Sequence, residues 1–192
     1  AQFEKAGLKP LAVNNGFFSY YPLKYLVKGK TSLIEAINVL GAVEGNINAD
    51  TIVILCAHYD HIGMERSIWN NSNDSINNGA NDNASGIALL IELAKYYTAL
   101  KNNRYTLVFI AFSGEELGLH GSAHTASQID QSLVHAVINI DMVGRPISKR
   151  YKKCMVITEN NDDIIKKLNR QLYPEKNFFI EYNPAYTLLD TM

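Results

Sequence analysis

Three continuous apolar runs each stop in a tight cluster of histidine or carboxylate residues, and that pattern restricts what the chain can fold into. The run at 51–57 (TIVILCA) leads into His58, Asp60 and His61. The run from Tyr105 (YTLVFIAF) leads into Ser113, Glu115 and Glu116, and the run from Leu133 (LVHAVI) leads into Asn139 and Asp141. A stretch that is apolar at every position, rather than at alternate ones, suits a strand buried on both faces. Helical segments separate the runs. Residues 84–100 are apolar nearly all round, which predicts a largely buried helix. Residues 115–126 read as a turn followed by a short helix, and 161–173 as an amphipathic helix with Ile164, Ile165, Leu168 and Leu172 on one face. Further strands are predicted at 17–28 and 37–44, with hairpin-like spacing, and at 154–158 and 178–182. Strands alternating with helices give an α/β class with a mixed, mainly parallel sheet flanked by helices.

Ligands of open α/β sheets bind at the carboxyl ends of the strands. All three polar clusters therefore converge on one edge. A long loop at 67–83, dense in Asn, Ser, Asp and Gly, adds Asn81, Asp82 and Asn83 just before the first long helix. Loops of that length in a compact domain are functional or disordered. Carboxylates gathered at one place repel one another and resist desolvation, and cations relieve both costs. A histidine with several carboxylates and no thiolate suits zinc or a similar divalent ion. The number of carboxylates suggests two ions, with one carboxylate bridging them as in two-metal hydrolytic sites. Glu115 and Glu116 leave the chain in different directions, so one can hold metal while the other faces a water as general base.

The bulk numbers exclude other classes. The 192 residues fit a single domain, and the formal net charge of -1 gives no basic excess for nucleic acid or an anionic membrane surface. No apolar run reaches the roughly 18 residues of a membrane span. Cys56 and Cys154 both lie in strand-like runs and read as buried free thiols, with a disulfide between neighbouring strands left open. The opening AQFEKAGLKP reads as the end of a helix stopped by Gly7 and Pro10, so residues are expected to precede Ala1. No signal peptide is visible.

The stretches AHYDHIG at 57–63, NGANDNASGIALLIELAKYY at 78–97, FIAFSGEELGLHGSAHT at 109–125 and INIDMVGR at 138–145 resemble peptidase family M28, in that family's order. The resemblance implies a zinc-exopeptidase architecture of the phosphorylase/hydrolase-like type and two zinc ions. Carried over by position, His58 and Asp141 hold the first zinc, Asp82 bridges both ions and Glu116 holds the second. Glu115 is the general base and acid, and Asp60 orients His58. The implied reaction is hydrolysis of the first residue from a peptide with a free N-terminus by a metal-activated water, in a secreted or periplasmic enzyme.

Two departures from the family pattern stand out. Asn81 occupies a position where many relatives carry Asp. The family's last zinc-ligating histidine has no counterpart, because no His follows His135 and the chain ends TLLDTM, with Asp190 the only nearby carboxylate. The expectation is a single catalytic domain over 1–192 that is incomplete, truncated at both ends, and lacks one ligand of the second site. A truncated or degenerate non-catalytic domain is the alternative from another class. A glutaminyl cyclase would keep one zinc without this NDNASG and SGEELGLHGS pattern. A glutamate carboxypeptidase-like activity would need a basic pocket, to which only Arg145 could contribute. His61 reads as structural or site-lining, His120 and His124 as structural, His135 as a surface residue, and the pairs Tyr20–Tyr21 and Tyr96–Tyr97 as packing. Sequons begin at Asn70, Asn73 and Asn83.

Overall fold

The computed structural model describes residues 2–11, 16–27, 29–64, 75–146 and 170–171. The chain divides into two compact units, Ala1–Gly144 and Arg145–Met192. All the elements below belong to the first. In the second, Arg170 and Gln171 are helical, within the segment predicted as the 161–173 helix. The rest of that segment, the strands predicted at 154–158 and 178–182, Cys154, Asp190 and the sequons at Asn70 and Asn73 lie outside the described residues.

A single turn of helix, α1 (Gln2–Lys5), stops at Gly7, whose φ of 82° is the left-handed conformation glycine accepts without strain. Strand β1 (Lys9–Pro10) follows, then β2 (Phe18–Val27) and β3 (Lys30–Val43). Val27 pairs with Lys30, so a two-residue loop closes the hairpin, with Gly29 at φ 74°. Strand β3 starts seven residues before the predicted position at 37. Its first half is mostly exposed, and its Leu33 and Ile34 face solvent, so no apolar alternation announced it.

Strand β4 (Asn48–His58), helix α2 (Ser85–Leu100), β5 (Tyr105–Phe112), α3 (His120–Ala126) and β6 (Val134–Asn139) complete the unit. The sheet runs β1-β3-β5-β4-β6, with β2 also paired to β3. Strands β1, β2 and β5 are antiparallel to β3, whereas β5 and β6 lie parallel to β4 on either side. The sheet is thus mixed, as the alternation of strands and helices implied, but three of its five pairings among the described residues are antiparallel, because β1, β2 and β5 all run against β3. Register decides where the chemistry goes. His58 pairs with Phe112 and Cys56 with Asn139, so the carboxyl ends of β4, β5 and β6 finish together.

The continuous apolar runs feed two cores, one on each face of the sheet. Leu55, Ala57, Leu107, Phe109 and Ala111 pack with Phe3, Leu90 and Ala94, while Ile54, Cys56, Val108 and Ile110 pack with Leu40 and Ala42. This is the two-sided burial read from the sequence for β4 and β5. The third run behaves differently. Strand β6 is largely exposed, with Val137 at 59% and Ile138 at 49%, and among the described residues it pairs with β4 alone. Helix α2 also departs from expectation. It fully buries only Gly86, Leu90 and Ala94, four residues apart, with Ile87, Ile91, Leu93 and Tyr97 partly buried beside them, while Leu89, Tyr96 and Leu100 are exposed. A single helix laid on one sheet face has only one face to bury. No helix among the described residues is long and apolar enough to cross a membrane. Cys56 is a free buried thiol, and burial pushes it up to about 12.

Candidate metal centre

The site is assembled at the carboxyl ends of β4 and β5, the segment after β6, and the turn before α2. His58, the last residue of β4, is 3% exposed. Its Nδ1–H donates to the Asp60 carbonyl oxygen at 3.1 Å, which leaves Nε2 turned to the carboxylates. Nε2 lies 3.1 Å from Asp82 Oδ1, 3.7 Å from Asp141 Oδ1 and 4.0 Å from Glu115 Oε2. One ligand atom each from His58, Asp82 and Glu116 fall within 4.8 Å of one another. Four of the segments singled out in the sequence therefore meet at one place.

Asp60 does more than sit beside His58. Its carboxylate is 3.8 Å from His58 Nδ1, farther than its own main-chain oxygen. The two carboxylate oxygens accept instead from the backbone N–H groups of Glu115 and Glu116, at 3.2 and 3.3 Å. One side chain thereby holds the turn that presents both glutamates. His61 reaches the same centre: its Nδ1–H donates to Glu116 Oε1 at 2.8 Å and lies 4.0 Å from Asp82 Oδ2. Burial pushes the Glu115 carboxyl above the usual carboxylate range. The His58 ring opposes that shift, while Glu116, Asp141 and Asp60 add to it.

The turn after β5 rests on a buried polar network that left no mark in the sequence. Asn38 of β3 is fully buried. Its amide donates to the Gly121 carbonyl at 2.7 Å and to Thr125 Oγ1 at 2.9 Å, and its Oδ1 accepts from Ser113 N–H at 3.0 Å. The Tyr21 hydroxyl donates to the Ser113 carbonyl at 2.8 Å, and its ring stacks on His124 at 4.9 Å. Tyr21 and His124 are thus structural, as their positions suggested, and they support the turn that carries Glu115. His135 is exposed beside the Tyr105 ring, and Asn139 places Oδ1 3.6 Å from Cys56 Sγ. Asn83, next to Asp82, is 1% exposed, and its amide is hydrogen-bonded at both ends. The peptide bond between Asp82 and Asn83 is cis.

These residues suit a divalent cation. With Nδ1 donating to the Asp60 carbonyl, His58 turns Nε2 toward carboxylate oxygens, the orientation in which that nitrogen and those oxygens could share a cation as ligands. The Nε2–Oδ1 separations of 3.1 and 3.7 Å bracket the ~3.3 Å edge of a tetrahedron whose bonds are about 2.0–2.1 Å, as for zinc.

The sequence model of peptidase family M28 matches residues 38–187. A probable zinc metalloprotease of Pyricularia oryzae is 34% identical over 122 residues, covering 62% of this chain and 23% of that protein. Aminopeptidase YwaD of Bacillus subtilis is 32% identical over 111 residues, covering 56% of the chain and 22% of its own length. The chain thus spans about a quarter of these curated relatives. Among solved structures, a leucine aminopeptidase precursor from Bacteroides thetaiotaomicron superposes with a TM-score of 0.70 at 20% identity, covering 95% of this chain and 65% of that one. An Acidobacteriales glutaminyl cyclase superposes at 0.54 and 23% identity, covering 75% and 47%. At such identities the likeness concerns the fold, which peptidases and cyclases share. The family match covers most of the chain, runs through every segment that meets at His58, and shows that the chain belongs to peptidase family M28.

Proposed function

We propose that this chain forms the catalytic centre of a zinc-dependent aminopeptidase that releases N-terminal residues from peptides. The observation that carries the reading is the approach of Asp82, Asp141 and Glu115 to one nitrogen of a buried histidine, with Glu116 completing the group. His58 and Asp141 would hold one ion, Asp82 would bridge, and Glu116 would hold the second. Bound zinc supplies Lewis acidity that brings the pKa of water toward neutrality. The chain's own part is positional and protonic. Glu115 stands beside these residues, 4.0 Å from His58 Nε2, where it would be placed to accept a proton from water and pass it to the leaving amine. A free substrate amine is a cation, and the excess of carboxylates at this edge favours it there.

The test is zinc content and peptide hydrolysis of the purified protein. Two zinc per chain are expected, both lost together in Asp82→Ala. Hydrolysis of an unblocked peptide is expected to exceed that of the same peptide acetylated at its N-terminus. Retention of two zinc in Asp82→Ala overturns the bridging role. Equal cleavage of blocked and free peptides overturns the aminopeptidase reading.

A further inference from the structure

We infer that Asn83 is a positioning residue that clasps the segments bearing Asp82 and Asp141 into one metal-binding unit, an inference that rests on reading those two carboxylates as zinc ligands. Asn83 directly follows Asp82 and is among the most buried side chains of the unit, at 1% exposure. Its Nδ2 donates to the Ile140 carbonyl at 2.9 Å, and its Oδ1 accepts from Met142 N–H at 3.2 Å. Ile140 and Met142 are the two neighbours of Asp141, so one amide grips the chain on both sides of that carboxylate. A third bond, from Gly86 N–H to Oδ1 at 3.0 Å, ties the same side chain to the first turn of α2. Three of the four hydrogen bonds an asparagine can make are used.

The surroundings are shaped to this grip. A Cβ on Gly86 would stand 2.3 Å from Asn83 Oδ1 and 2.4 Å from the Ile140 carbonyl, so only glycine leaves space for the amide. Met142 has φ 50°, a left-handed conformation unusual outside glycine, and its N–H is the one Asn83 receives. A helix cap alone would explain the Gly86 bond. It would not explain bonds that reach 57 and 59 residues along the chain to either side of Asp141. The same burial answers the sequon reading: in the folded chain the Asn83 amide is engaged and has no room for a glycan.

Asn83→Asp separates the clasp from the cap. Aspartate has the same shape and caps helices as well as asparagine. It keeps an acceptor for Gly86 and Met142 but sets an oxygen against the Ile140 carbonyl. Zinc affinity is read in the purified protein by competition with a chromophoric chelator, beside wild type and Asp82→Ala, with thermal unfolding recorded for each. The expected result is wild-type zinc binding, its loss in Asp82→Ala, and a 10–100-fold weaker affinity in folded Asn83→Asp, the size seen when groups supporting metal ligands are removed. Wild-type affinity in Asn83→Asp with loss in Asp82→Ala overturns the clasp and leaves the zinc reading intact. Undiminished zinc binding in Asp82→Ala overturns the reading of Asp82 as a ligand, and the clasp with it. If Asn83→Asp does not fold, Asn83→Ser takes its place, retaining an acceptor for Gly86 while losing the donor to Ile140. Unchanged affinity in Asn83→Ser, or failure of both variants to fold in excess zinc, overturns the inference, the latter because Asn83 then serves the fold rather than the ligands.

Discussion

Glu115 and Asp60 occupy adjoining places in the centre and differ in what they touch. Glu115 approaches His58 Nε2 only to 4.0 Å, whereas Asp82 approaches to 3.1 Å. Glu115→Gln is therefore expected to keep zinc bound while turnover falls about 10²–10⁴-fold, the usual worth of a positioned acid–base. Hydrolysis rate and zinc content measured on one sample check this, and full activity with zinc bound would remove Glu115 from the role. Asp60 works through the backbone. Asp60→Ala takes away the acceptor of two N–H groups at the Glu115–Glu116 turn. The expected cost is about 1–3 kcal/mol of stability, read from the denaturant midpoint, with a fall in turnover. An unchanged midpoint would show that the turn stands without it.

At the scale of elements, the turn between β5 and α3 is held from behind. Gly121 opens the helix side, and a Cβ there would fall 2.2 Å from the Ser113 carbonyl and 2.5 Å from Asn38 Oδ1. Gly121→Ala must push apart the polar network that seats the Glu115 turn. Overpacking of this kind costs about 1–3 kcal/mol. Chemical denaturation is expected to show that loss together with reduced hydrolysis, and a wild-type midpoint would mean the network yields without cost. Gly114, at φ 68°, makes the reversal that brings Glu115 back toward β4.

At the scale of the molecule, the site stands where parallel strands end in register, with apolar cores on both sheet faces. The proposed ligands are drawn from four segments spread from His58 to Asp141, so an ion there would join parts of the chain far apart in sequence. Metal bound to the folded state alone stabilises it by about 2.7 kcal/mol at a hundredfold excess over its Kd. A chelator is accordingly expected to lower the melting temperature, with recovery on adding zinc, and a melting temperature indifferent to both would argue against an ion within the fold.

The candidate site was legible in the sequence where chemistry and periodicity coincide. His58, Asp82, Glu115, Glu116 and Asp141 each follow or precede a long apolar element, and a parallel sheet brings such ends together whatever its finer details. The class of fold was legible for the same reason. Exposure depends on neighbours rather than composition, so only the tertiary structure showed that β6 faces solvent and that α2 buries a single stripe. Only it showed that Asp60 spends its carboxylate on two backbone N–H groups. Asn38 and Asn83 were beyond sequence reading because a lone asparagine in a strand or loop has no periodic signature. Its worth comes from hydrogen bonds to groups 57 or more residues away, and those distances exist only once the chain has folded.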